Sequence, residues 1–187
     1  MRAIFHTFAL ISVFAPFSAS AQDNGNVFTD TANNAKVHAA SGFVCPAKVG
    51  LFVRDAAGER DPKTGTVYCA YSALDGVYGT IVLAPLGGPY DPKSALVPDF
   101  LEQEATGGKK IAERSAMLGG ARGVYTRIYE TTSLEDLHYR VLFAASAVGN
   151  WAVQVTMEYA SPRDDAIQQN FLNAVYAEAL GKIAAPR

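Results

Sequence analysis

The sequence predicts an α+β fold: an antiparallel β-sheet of about six to seven strands packed against two α-helices. Three observations carry that expectation. Segments rich in β-branched and aromatic residues recur between short turns, most clearly over 109–159. Two stretches, following Asp91-Pro92 and Ser161-Pro162, instead space their apolar residues at the helical interval. Cys45 and Cys69 are the chain's two cysteines, and in an oxidising compartment an isolated pair closes a disulfide.

The first residues set that compartment. Arg2 supplies a short positive region, and Ile4 to Phe17 is apolar apart from His6, Thr7, Ser12 and Pro16. Ala19-Ser20-Ala21 then offers the small residues at which signal peptidase cuts. The apolar run is too short to span roughly 30 Å of hydrocarbon, so a cleaved signal is preferred to an anchor. No cysteine stands at the cleavage site to receive a lipid. The expected product is a soluble periplasmic or secreted protein without stable membrane insertion. It divides into a signal peptide over 1–21, a flexible, Asn-rich lead-in over 22–41 with one helical turn around Ala32–Ala39, and a single domain over 42–187. The net charge of −2 becomes one unit more negative once Arg2 is removed, which leaves no electrostatic footprint for nucleic acid or an anionic membrane.

A Cys45–Cys69 bridge closes a loop of about 25 residues and stabilises the fold by about 3 kcal/mol. A redox dithiol wants C-x-x-C spacing, and a metal site wants more ligands than His38 and His138 supply. A structural disulfide is therefore expected, with no metal and no cofactor.

In the first half, Val49–Arg54 and Thr66–Ser72 read as strands around a charged loop, 55–65. Asp75-Gly76 then marks a hairpin between Val67–Ala73 and Val77–Leu83. The breaker segment Ala84–Pro92 leads to Asp91 as N-cap with Pro92 at the first helical position. Leu96, Val97, Phe100 and Leu101 follow at helical spacing, with Pro98 as an alternative helix start and Gly107-Gly108 as the stop.

In the second half, Lys109–Met117, Gly123–Thr131, Leu137–Ala147 and Trp151–Tyr159 form an antiparallel meander. A three-residue loop, Val148-Gly149-Asn150, pairs Ala147 with Trp151, Phe143 with Val155 and Val141 with Met157. That register leaves one face wholly apolar and sets Arg140 against Glu158. A two-residue loop sets Val141 against Glu158 and Arg140 against Tyr159, mixing both faces, so the first register is expected. The closing helix starts at Ser161-Pro162-Arg163-Asp164, read as an N-cap serine, a proline at N1 and an acid at N3. Its stripe of Ile167, Phe171, Leu172, Val175 and Ala179 is expected to cover Phe143, Val155 and Met157.

Strands, a helix, four antiparallel strands and a C-terminal helix, with a Gly-Gly helix stop and an aromatic hairpin at Val124-Tyr125-Thr126-Arg127-Ile128-Tyr129, together resemble the PsbP-like fold family. That family is named for photosystem II accessory proteins of the thylakoid lumen. The resemblance spans roughly Phe43 to Ile183 and rests on element order. It implies a non-enzymatic role in binding or assembly and no catalytic residue set.

The chain contains no G-x-S-x-G elbow, P-loop, H-E-x-x-H, EF-hand loop or dinucleotide fingerprint. Asp55, Glu59 and Asp61 lack a calcium-loop spacing and are partly neutralised by Arg54, Arg60 and Lys63, so they read as a solvated loop. Tyr125, Arg127, Tyr129, His138 and Arg140 form a candidate binding surface, because tyrosine and arginine favour recognition and suit a carboxylate ligand or a protein partner. The plainer account is cross-strand pairing, Arg140 with Glu158. Two other roles compete with a periplasmic accessory or binding protein. One is a small envelope hydrolase using His138 as general base; the other is a structural envelope component.

Overall fold

The computed structural model describes residues 27–74, 76–132 and 138–183. The expected signal peptide and the hairpin residue Asp75 lie outside them. The fold is α+β and the large sheet has eight strands, more than the six to seven expected.

The large sheet is built from two antiparallel meanders. The first comprises β4 (Lys48–Val49), β5 (Phe52–Asp61), β6 (Thr66–Ser72) and β7 (Tyr78–Pro85). The second comprises β8 (Lys109–Leu118), β9 (Ala121–Thr132), β10 (His138–Val148) and β11 (Trp151–Ala160). The chain leaves β7, crosses the sheet through α1 (Pro92–Ala95) and α2 (Val97–Ala105), and re-enters at the far edge. The strand order β4-β5-β6-β7-β11-β10-β9-β8 therefore places β7 beside β11 in the middle. The last element, α3 (Asp165–Lys182), packs on the face opposite α1 and α2.

The segment expected as a flexible lead-in carries β1 (Phe28–Asp30) and β2 (Lys36–His38), which with β3 (Val44–Cys45) form a second, three-stranded sheet. The helical turn expected around Ala32–Ala39 is replaced by a turn and β2. Phe28 and His38 are buried, and the His38 ring lies 5.0 Å from that of Trp151. Apolar anchors set this far apart in a polar segment carry no periodicity, which is why the strands escaped a pattern reading. Cys45 in β3 and Cys69 in β6 form the disulfide, with Cα atoms 6.2 Å apart and both residues fully buried. The bridge ties the small sheet to the large one.

Residues 55–61, expected as part of a loop, continue β5 to Asp61. Beyond Val53 this strand has β6 on one side only, and its charged, bulged outer edge is how an edge strand avoids pairing with another chain.

The β10–β11 register is the two-residue one: Val148 pairs with Trp151, Phe143 with Thr156, Val141 with Glu158 and Arg140 with Tyr159. This corrects the expected three-residue loop. Gly149 has φ +56° at the first central position of the turn, a value that favours glycine and matches the twist of the flanking strands. The expectation assumed one buried face, but both faces of this hairpin are covered. Leu142, Ala144, Val153, Val155 and Met157 meet α3, while Val141, Phe143 and Ala145 pack with Tyr129 beneath Leu96 and Phe100. Phe143 thus lies under α2, away from the α3 stripe expected to cover it.

Asp91 caps α1 as expected, accepting from the Lys93 and Ser94 amides. α3 begins later than expected, at Asp165, and Ser161 is not its cap. Asp164 is instead a buried anchor: its carboxylate accepts from the Ala160 amide and from Nε and Nη2 of Arg163. The helix buries Phe171, Leu172, Val175, Tyr176 and Ala179, and with them the polar Gln168.

Candidate functional site

Side chains alternate across a strand, and that decides how the five candidate residues are distributed. On β9, Tyr125, Arg127 and Tyr129 point with Phe143 and Val141 toward α2. Arg140 has the other parity on β10; it faces α3, and its Nη1 stands 3.7 Å from the Asp165 carboxylate. His138 is exposed at the start of β10. Arg127 and Arg140 are therefore separated by the sheet. Arg140 does not form the expected pair with Glu158; on its neighbouring strands it is opposite Glu130 and Tyr159.

The Arg127 group is internally satisfied. Its guanidinium lies 3.7 Å from the Phe100 ring centroid, a cation–π stack that α2 closes over the strand. Nε donates to the Tyr125 hydroxyl at 3.1 Å, Nη1 to the Tyr129 hydroxyl at 3.0 Å and Nη2 to Glu113 at 3.1 Å. Tyr129 in turn donates to Glu104 at 2.8 Å. Arg127 is only 8% exposed, and its planar fork is occupied on each nitrogen. Such a group holds α2 to the sheet, with three of the five guanidinium N–H groups spent inside the fold.

Glu113 joins this network to α1 through Lys93 at 2.8 Å and to its own strand through Lys110 at 3.0 Å. Hydrogen bonds from Lys93, Lys110 and Tyr125 hold its carboxyl far below the ordinary value of 4.5. A carboxyl depressed in the folded state stabilises the fold above its unfolded pKa, and that contribution disappears as pH falls through the native value. The stability gap between wild type and Glu113→Gln, read from urea melts, should therefore be full at pH 7. It should begin to shrink below about pH 4.5 and close in stronger acid. A gap that stays constant down to pH 3 contradicts this role.

On the α3 face, a cleft of about 220 Å³ opens between α3 and strands β8 to β11. Arg114, Arg140, Tyr159, Asp165 and Gln168 supply its polar wall, and Ile128, Leu142 and Leu172 its apolar floor. Its volume is below the roughly 300–1,000 Å³ of sites for drug-sized ligands. Two residues that line it each carry a solvent-inaccessible nitrogen without a protein partner, Arg140 Nε and Gln168 Nε2, and Gln168 is only 5% exposed. Buried donors are nearly always paired, because stripping water from one without replacement costs roughly 1–3 kcal/mol. Burial pushes the Tyr159 hydroxyl above its ordinary range, Asp165 adds to the rise and Arg140 opposes it. Tyr159 accordingly keeps its proton at neutral pH.

Of the candidate residues, only Arg140 lines this cleft. Its other members were missed because four strands and a helix bring them together. One signal was available: Gln168 occupies a position of the α3 stripe, four residues before Leu172, where an apolar side chain is expected. Asp55 accepts from the Ser72 hydroxyl along β5, and Asp61 accepts from the Lys63 amide in the β5–β6 turn. Among the described residues, no group of three or more His, Cys, Asp or Glu side chains is arranged to hold a metal ion, and no helix is long and apolar enough to cross a membrane. Comparison with family models, with curated proteins and with solved structures finds no match to this chain.

Proposed function

We propose that this chain is an exported, non-catalytic binding or accessory protein whose ligand occupies the cleft beneath α3. The observation that carries the reading is the pair of buried, unpartnered donors on residues that line the cleft, Arg140 Nε from the sheet and Gln168 Nε2 from α3. Export is inferred from the signal-like residues 1–21, and a buried disulfide is compatible with it. Element order is what supports a PsbP-like relationship, and such a relationship favours binding over catalysis. The hydrolase alternative rests on His138, which is exposed and does not line the cleft.

Thermal melts of the purified chain against a panel of small metabolites test the reading. A ligand at about 100 times its Kd adds roughly 2.7 kcal/mol, or several degrees in Tm for a domain of this size. The shift is expected for wild type and should disappear in Arg140→Met. Without ligand, that variant should be as stable as wild type within about 1 kcal/mol, because the Asp165 pair it removes is long and half-exposed and the apolar stem is kept. A panel without a shift, or a shift that survives Arg140→Met and Gln168→Leu together, overturns the proposal and favours a structural component.

A further inference from the structure

We infer that the cleft beneath α3 takes a small carboxylate, and that Asp165 is a built-in competitor for it; this rests on the binding reading above. The polar lining carries an excess of positive charge. Arg140 Nε and Gln168 Nε2 are donors without acceptors, and Tyr159 holds a hydroxyl proton, while Arg114 adds a second guanidinium at the exposed rim. The Thr126 hydroxyl is already spent on the Arg114 carbonyl at 3.0 Å. The two guanidinium charges of Arg114 and Arg140 outnumber the one carboxylate, Asp165, that lines the cleft. A ligand with carboxylate oxygens offsets that excess, and charge-assisted bonds to arginine are the strongest such contacts. The apolar floor of Ile128, Leu142 and Leu172 leaves room for a short hydrocarbon body.

Asp165 explains why the arrangement is stable when empty. Its carboxylate lies 3.7 Å from Arg140 Nη1, close enough to offset the charge and too far for a direct hydrogen bond. It is half-exposed, so turning it toward solvent costs little. An arriving carboxylate displaces this weak internal partner and takes its place at the Arg140 guanidinium.

Isothermal titration of the purified chain at fixed ionic strength with acetate, succinate, inorganic phosphate and acetamide tests this. Acetamide has the shape of acetate without its charge. Acetate or succinate should bind and acetamide should not, with phosphate weaker than succinate because it has no apolar body for the floor. Arg140→Met should weaken succinate about tenfold to a hundredfold. Asp165→Asn should tighten it about threefold to tenfold, the opposite direction. Equal binding of acetamide and acetate, or no tightening in Asp165→Asn while its Tm matches wild type, overturns the inference. Phosphate binding more tightly than succinate overturns the carboxylate assignment. A neutral metabolite whose binding is abolished by Arg140→Met sinks the carboxylate while leaving the cleft as the site. Anions that bind equally to wild type and to Arg140→Met sink the cleft itself.

Discussion

Gly119→Ala is expected to destabilise the fold by about 4 kcal/mol or more, in the range where a single substitution prevents accumulation of folded protein. Gly119 and Gly120 form the two-residue turn between β8 and β9, with φ +55° and +89°. A left-handed conformation costs an alanine roughly 1–2 kcal/mol at either position. At Gly119 a second cost is added, because a Cβ there overlaps the backbone of Asn173 and Ala177 on α3. The Gly119 amide also donates to the Asn173 side chain at 3.1 Å, so the turn and the helix are held in register. Relief requires α3 to move away from the sheet and expose its Phe171, Leu172 and Val175 stripe. Gly120→Ala is the internal control, since its Cβ meets only a Leu180 methyl at 3.6 Å. Chemical denaturation of the two variants should separate them by at least 2 kcal/mol, as the strain of positive φ is common to both. Similar melts for the two variants show that the α3 contact yields easily.

Arg127→Ala is the second large effect, a loss of about 3 kcal/mol. Removing the guanidinium deprives Glu113 of one of its three cations and strips the Phe100 ring of its stacking partner. It also leaves the buried Tyr129 hydroxyl with Glu104 alone. The loss falls at the lower end of the range for broken buried pairs because Lys93 and Lys110 still neutralise Glu113. For a domain of this size the Tm should fall by roughly 6–12 °C. Ligand affinity at the α3 cleft, measured on the folded variant, should stay within about twofold, since the sheet lies between the two sites. A variant with wild-type stability and lost binding returns Arg127 to the ligand surface and removes the distinction drawn between the two arginines.

These two residues show how local and distant information divide in this chain. Strands β8 to β11 end within one or two residues of their sequence expectation, because period-two apolar patterns and tight turns are properties of neighbouring residues. Asp91 and Pro92 announced the first helix by the same local means. Gly149-Asn150 was equally informative, and its turn chemistry outranked the assumption that one face of the hairpin must be polar. Arg127 and Arg140 each read as surface residues on a polar face. Which face α2 covers and which α3 covers depends on the crossover from β7 to β8, a feature set by the whole sheet.

By itself the sequence determined the α+β class, the disulfide partners, the second meander and the existence of the closing helix. All but the disulfide partners follow from short-range periodicity, capping and residue chemistry; the partners follow from there being two cysteines. Only the tertiary structure decided the eight-strand order, the three-stranded sheet, the hairpin register and the separation of Arg127 from Arg140. It also decided that Gln168 and Arg140 share a cleft. The reason is that a cleft is made by side chains from distant segments, and their meeting is fixed by packing on two faces of one sheet, which no local pattern records.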